Sequence, residues 1–287
     1  DVYSIPMLLM IGWRGEPNIK DEPQHKKQGR VTKELLESLE IPFSILSSET
    51  SEKEASQIVH KAASFSRDNK TPYALLVKKG TYAKYAVKTH FQYDFALYRE
   101  EAIRLVVNSL NDLDIVVSTT GMISREVIEI REGMQVGHSR DFLTVGGMGH
   151  SSQIALGIAI QMQNRKIYCL DGDGSVIMHM GSLPINGMQK CSNYCHIVLN
   201  NGAHDSVGGQ PTVCFEIDLR KISKASGYET VLGATTKEEV LQSMEIIKRS
   251  KFPSFLEIKV KKGHRNTLGR PSTTPLANKI AFMGCLK

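Results

Sequence analysis

The chain has 287 residues, 41% of them hydrophobic and 23% charged, which is ordinary for a globular protein with room for one large or two smaller cores. No apolar run reaches the about 18 residues that a membrane-crossing helix needs, and no secretion signal is visible, so a membrane is not an expected partner. The net charge of +6 comes from scattered pairs such as Lys26-Lys27, Lys78-Lys79 and Lys261-Lys262, without the aromatic–basic interleaving of single-strand binders; it suits anionic small molecules rather than nucleic acid.

The first 88 residues alternate strands and helices. Residues 7–11 form a buried-type strand, 32–40 a helix and 43–46 a short strand. Ser51, with Glu54 three positions on, makes a capping box for a helix to about residue 67, and 73–77 is the next strand. This βαβ rhythm predicts a parallel sheet. A chain that starts at Asp1 and almost at once enters an apolar strand is expected to be a fragment. Periodicity then fades between Gly80 and Arg99, where Tyr82, Tyr85, Phe91, Tyr93 and Phe95 suggest a linker packed on a surface.

The second region opens with a helix over 100–108 and a strand over 115–118. That strand ends in Thr119-Thr120-Gly121-Met122-Ile123-Ser124, ahead of a helix near Arg125. Hydroxyls and backbone N–H groups at a helix start form an anion site, although plain capping by Ser124 would read the same way. Next come Phe142-Leu143-Thr144-Val145-Gly146-Gly147-Met148-Gly149-His150 and a helix over 151–163. Position 152 is Ser, so the glycines are not a dinucleotide fingerprint. A strand over 167–170 leads to Asp171-Gly172-Asp173-Gly174-Ser175, and a helix over 182–191 follows, with Pro184 in its first turn. The strand 197–199 ends in Asn200-Asn201-Gly202, and a Gly-rich loop runs on to Thr212. Residues 215–219, a helix over 237–248 and a strand over 255–260 finish the sheet. The tail from Gly263 is expected to lie along a neighbouring surface. Five cysteines without CxxC spacing (Cys169, Cys191, Cys195, Cys214, Cys285) predict free thiols in a reducing cytoplasmic compartment.

Asp173 and Asn201 each follow a strand. In a parallel sheet both strand ends lie on the ligand-binding edge, so the two can meet. A carboxylate plus an amide oxygen suits a hard cation such as Mg²⁺ that shares a substrate's phosphates. An EF-hand is excluded, because the sixth and twelfth positions counted from Asp171 are Val176 and Ser182.

Gly172-Asp173-Gly174 followed by Asn200-Asn201 resembles the metal–diphosphate signature of thiamine diphosphate enzymes. Further words narrow the resemblance to the phosphonopyruvate decarboxylase family, with the sulfopyruvate decarboxylases as kin: Asn200-Asn201-Gly202-Ala203-His204-Asp205-Ser206-Val207-Gly208-Gly209-Gln210-Pro211-Thr212, Gly12-Trp13-Arg14-Gly15-Glu16-Pro17, Asp21-Glu22-Pro23-Gln24-His25 and Leu268-Gly269-Arg270-Pro271. The resemblance implies an α/β fold of two thiamine-diphosphate-binding-type domains, each a parallel sheet flanked by helices. Residues 1–88 would be the C-terminal part of a truncated pyrimidine-binding domain, 89–99 a linker, and 100–287 the diphosphate-binding domain with its tail.

It also implies roles. Asp173, Asn201 and the Ala203 carbonyl would hold Mg²⁺, while Thr119, Thr120, Gly121, Gly172, Gly174 and Ser175 would contact the diphosphate. Met148 would bend the cofactor, and the Gly146 carbonyl would accept a hydrogen bond from its amino group. His204, Asp205 and His25 are the proton-transfer candidates, in place of a loop glutamate that this sequence lacks before Glu216. Arg14 and Arg270 are candidates for the phosphonate, since a guanidinium fork suits an oxyanion. The expected reaction is decarboxylation of 3-phosphonopyruvate by a homodimer or higher oligomer with the site at the subunit interface. Sulfopyruvate decarboxylation and acetolactate-synthase-like carboligation are the enzyme alternatives. The ring-protonating glutamate of such enzymes is expected upstream of Asp1, which raises a reading of another class: a truncated, non-catalytic subunit that binds cofactor or a partner chain.

Overall fold

A computed structural model describes residues 2–83, 85 and 93–287, which divide into two compact units, Asp1–Lys88 and Thr89–Lys287. Phe91, His90 and residues 89–92 of the expected linker lie outside the described residues.

The first unit runs β1 (Met7–Gly12), α1 (His25–Ser38), β2 (Phe43–Leu46), α2 (Glu52–Asn69) and β3 (Pro72–Val77). Its three strands are parallel in the order β1-β3-β2. Ser51 and Glu54 form the capping box that the spacing predicted at the start of α2. The first helix begins seven residues before the expected start. The early turn is polar and contains Gly29, so it carries no apolar periodicity. It is fixed instead by the indole of Trp13, which donates to the Gly29 carbonyl at 2.8 Å.

The second unit carries α3 (Arg99–Asn108), β4 (Ile115–Ser118), α4 (Met122–Gly133), β5 (Asp141–Leu143), α5 (Ser151–Gln161), β6 (Ile167–Gly172), α6 (Asp173–Met178), α7 (Ser182–Met188) and β7 (Tyr194–Asn200). The hairpin β8 (Ala203–His204) and β9 (Gln210–Pro211) follows, then α8 (Leu219–Ala225), β10 (Thr230–Ala234), α9 (Lys237–Arg249), β11 (Ser254–Lys259) and α10 (Pro275–Cys285). Six parallel strands are ordered β10-β11-β7-β6-β4-β5. Side chains alternate across this sheet. Tyr168 and Leu170 of β6 join the core under α3, α4 and α9, while Ile167 and Cys169 join the core under α5, α7 and α8. Both faces are covered, which is why the central strands read as continuous apolar runs. From β4 the chain steps outward to β5, then crosses back to β6 on the other side. The strand order therefore reverses between β4 and β6, and a crevice opens above their carboxyl ends.

Three expectations change. Residues 215–219 are not a strand: the Phe215 ring packs on Tyr93 and Phe95 at 4.4 and 5.3 Å, and Asp218 caps α8. The sheet is completed by β10, a half-exposed edge strand containing Gly233, whose composition hides it. Tyr93 and Phe95 therefore belong to the second unit's packing rather than to a linker. The tail packs back on its own unit. Phe282 of α10 is 2% exposed and meets Phe142 edge-on at 5.3 Å, and the Arg165 guanidinium donates to the Cys285 carbonyl at 3.0 Å. No helix among the described residues is long and apolar enough to cross a membrane. Truncating Phe282 to Ala should cost the second unit about 3 kcal/mol in urea unfolding; a loss below about 1 kcal/mol would mean that α10 is not part of that core.

Candidate active site

The crevice above β4 and β6 collects the motifs. β4 hands over to α4 through Thr119, Thr120 and Gly121. Gly121 has φ +105°, a conformation open to glycine, and a Cβ there would lie 2.2 Å from the Ser206 Oγ. Thr119 Oγ1 and Ser175 Oγ lie 3.0 Å apart, so the ends of β4 and β6 touch directly. The Gly149 N–H donates to Ser175 Oγ at 3.0 Å, and the Gly146 N–H donates to Thr120 Oγ1 at 3.1 Å. These bonds tie the Gly-rich segment after β5 to the two strand ends. Together they surround a cavity lined by Thr119, Thr120, Met148, Asp173, Ser175 and Asn201, among others. Hydroxyls, backbone N–H groups and the positive end of the twelve-residue α4 are groups that could receive an anion there.

The same cavity carries an acid. Asp173 begins α6 and is 1% exposed. Its carboxylate accepts a hydrogen bond of 2.5 Å from Thr212 Oγ1, along with backbone N–H groups of Asn201 and Gly174. These donors are all neutral. Burial accordingly pushes the carboxyl up to about 6, against the pull of the hydrogen bonds. Asn201 ends the same stretch of backbone after β7. Its Nδ2 donates to Asp205 Oδ2 at 2.7 Å, and its Oδ1 accepts from the Ala203 N–H at 3.1 Å. A buried carboxylate and an amide oxygen in one cavity are donors of the kind that could hold a hard divalent ion.

His204 lies over Gly174, where a Cβ would come within 2.3 Å of the imidazole Nδ1. A side chain at 174 would require this ring to move, and His204 lines the cavity. Asp205 differs from the proton-transfer role expected of it. Its Oδ2 accepts from Arg99 Nη1 at 2.8 Å, from Asn201 Nδ2 at 2.7 Å and from the Gly263 N–H at 3.1 Å, so the group anchors the loop. His25 and Arg14 belong to the first unit, where both engage Asp21. Arg14 Nε donates to its Oδ2 at 2.9 Å, and His25 Nδ1 lies 3.1 Å from its Oδ1. The Arg14 guanidinium holds the Asp21 carboxyl far below the usual range, so its fork is already answered. Arg270 is exposed in the segment after β11 and does not line the cavity.

Two residues of the cavity wall escaped the sequence reading. Arg99, the first residue of α3, is 4% exposed, and Ser206 Oγ accepts from the Met122 N–H at 3.3 Å. A signal for Arg99 existed in its partner. Glu126 shares the buried face of α4 with Ile123, Val127 and Ile130, and a carboxylate on an apolar helix face demands a cation. His196, assigned a structural place, is buried between Asp171 (3.2 Å) and Tyr228 (3.3 Å).

Residues 119–258 match the C-terminal TPP-binding domain of thiamine pyrophosphate enzymes, so the second unit carries a thiamine diphosphate-binding domain. Over 286 aligned residues the chain is 31% identical to the phosphonopyruvate decarboxylase of Streptomyces viridochromogenes, covering 94% of this chain and 70% of that protein. It is 29% identical to the phosphonopyruvate decarboxylase of Streptomyces hygroscopicus, covering 94% and 69%. It is also 29% identical over 191 residues to the sulfopyruvate decarboxylase subunit beta of Methanococcus maripaludis, covering 67% of this chain and 98% of that subunit. The chain belongs to the phosphonopyruvate decarboxylase family of thiamine diphosphate enzymes.

The raised Asp173 carboxyl has a consequence for the unliganded protein. Because its folded pKa, about 6, exceeds that of an unfolded Asp, the fold holds the proton more tightly, and this group's contribution to stability falls as pH rises from about 4 to 6. Asp173→Asn should therefore be more stable than the parent at pH 7.5, by about 1–3 kcal/mol, and equal to it near pH 4. Denaturant melts at the two pH values test this; an Asn variant less stable than the parent at pH 7.5 would contradict the buried, cation-free carboxylate.

Proposed function

We propose that this chain decarboxylates 3-phosphonopyruvate to phosphonoacetaldehyde and CO₂, using thiamine diphosphate and Mg²⁺. The observation that carries the reading is the cavity at the strand-order reversal, whose lining brings Thr119, Thr120 and Ser175 together with the buried Asp173 and Asn201. Asp173, the Asn201 Oδ1 and the Ala203 carbonyl would hold Mg²⁺. Thr119, Thr120, Ser175 and the backbone at Gly121, Gly172 and Gly174 would hold the diphosphate. Bound thiamine diphosphate supplies the sink for the electron pair that CO₂ leaves behind.

This chain's residues orient the keto acid and manage protons. Met148, half-buried between Gly147 and Gly149, lines the cavity and would bend the bound cofactor, and the Gly146 carbonyl would accept a hydrogen bond from its amino group. When the bond to the carboxylate breaks, the former keto carbon must gain one proton before the aldehyde departs. His204 is the imidazole that faces this space, and it would deliver the proton. His25, on the first unit, is the second candidate. The phosphonate needs a cation, and Arg14 and Arg270 are the candidate guanidinium groups. The first unit would serve as pyrimidine-binding domain, with a neighbouring copy completing the site in a homodimer or larger oligomer.

A second reading, sulfopyruvate decarboxylation, is favoured by the match to nearly the whole length of a sulfopyruvate decarboxylase subunit. Aldehyde release from phosphonopyruvate, sulfopyruvate and pyruvate, followed side by side with thiamine diphosphate and Mg²⁺, separates the two. The expected result is preference for phosphonopyruvate, with kcat/KM lowered by roughly 10²–10³ in Asp173→Ala. Preference for sulfopyruvate would transfer the assignment to the second reading, and turnover of none would overturn the decarboxylase reading.

A further inference from the structure

Arg99 is a cation buried at the wall of the cavity, and each of its three side-chain nitrogens donates to a carboxylate. Nε and Nη2 form a two-pronged pair with Glu126 of α4, each bond 2.9 Å, and Nη1 donates to Asp205 Oδ2 at 2.8 Å. That same oxygen accepts the Asn201 Nδ2 hydrogen at 2.7 Å. A chain of hydrogen bonds thus runs from α4 through Arg99 and Asp205 to Asn201.

The chain of bonds matters because an amide has two ends of similar shape and opposite character. Only Oδ1 of Asn201 can act as a ligand to a cation. A carboxylate accepts but does not donate, so Asp205 can be paired only with the NH₂ end. A flipped amide would set two oxygens against each other with no proton between them. The Ala203 N–H, donating to Oδ1 at 3.1 Å, selects the same orientation from the other side. Asp205 must itself be held, and two groups hold it: Arg99 and the Gly263 N–H, the latter at 3.1 Å. A lysine could not replace this arginine. Its ammonium is a point charge, whereas the rigid guanidinium spans both carboxylates at once.

We propose that Arg99 and Asp205 are positioning residues, which together fix the Asn201 amide with its oxygen presented to the divalent cation beside Asp173. This rests on the metal site of the proposed function. It gives Asp205 a task other than proton transfer, and it explains why a full positive charge is buried beside a cation site: Glu126 and Asp205 outnumber it.

The test uses Mn²⁺ as probe, with thiamine diphosphate present, and reads affinity by electron paramagnetic resonance alongside a metal-free thermal melt of each variant. Asp205→Ala leaves Arg99 neutralised by Glu126, so it should melt cooperatively and yet bind Mn²⁺ about 10- to 100-fold more weakly. Asp205→Asn, whose amide oxygen can still accept from Asn201, should recover affinity to within about threefold of the parent. Arg99→Lys should lose about tenfold, and Arg99→Lys combined with Asp205→Ala should be no weaker than Asp205→Ala alone, because both act through one amide. A folded Asp205→Ala that binds Mn²⁺ within about twofold of the parent would overturn the proposal. So would equal losses in the Ala and Asn variants. If the parent itself fails to bind Mn²⁺, the metal site falls and this inference with it; tight binding by both parent and Asp205→Ala sinks the inference alone.

Discussion

A carboxylate buried among neutral donors is the constraint on which the site depends. Asp173 is placed at the end of the central strand β6, with Thr212 and backbone N–H groups around it. Those hydrogen bonds do not offset the loss of water, and the carboxyl rises to about 6. Such a group is unfavourable unless a cation joins it. The surrounding elements fit the cation proposed for it: β7 leads into Asn201, the β8–β9 hairpin brings Thr212 to the acid, and Arg99 of α3 reaches the Asn201 amide through Asp205. The anion wall at the start of α4 is then complementary to the cation rather than redundant with it. A diphosphate bridging the two would answer both charges.

Much of this was legible in the sequence because it follows from local rules. Central strands covered on both faces show as apolar runs, so β4, β6 and β7 were readable. The residues after them fall on one edge by topology alone, which placed Thr119, Asp173 and Asn201 around one point. The capping box at Ser51 and Glu54 is equally local. What the sequence hid depends on partners far away in the chain. β10 is an edge strand whose side chains are half-exposed, so it carries no apolar run. α10 shows little polar–apolar alternation until Phe282 is seen against Phe142. Arg99 and Asp205 are separated by more than a hundred positions, and their pairing appears only when α3 packs beside the loop.

The words that carried the family resemblance also acquire physical content. Trp13, Arg14, Gly15, Asp21 and His25 form a knot in the first unit, with Asp21 accepting from Arg14 and from the Gly15 N–H at 2.7 Å. A guanidinium and an imidazole that share one carboxylate read, in sequence, like free functional groups. In space, part of their role is to hold the turn. Across the second unit the same distinction separates His204, which lines the cavity over Gly174, from Asp205, committed to three donors. Neighbouring residues in one loop thus differ in what they can do, and the difference lies in which hydrogen bonds are already made.

The central claim is that Asp173 and Asn201 are two ligands of one cation that meets a diphosphate held at the start of α4. The most direct measurement is a crystal structure with Mn²⁺ and thiamine diphosphate, using anomalous scattering to locate the metal. The account predicts one strong anomalous peak between the Asp173 carboxylate and Asn201 Oδ1, with diphosphate density against Thr119, Thr120 and Ser175. A peak elsewhere, or cofactor density away from the α4 N-terminus, would contradict it.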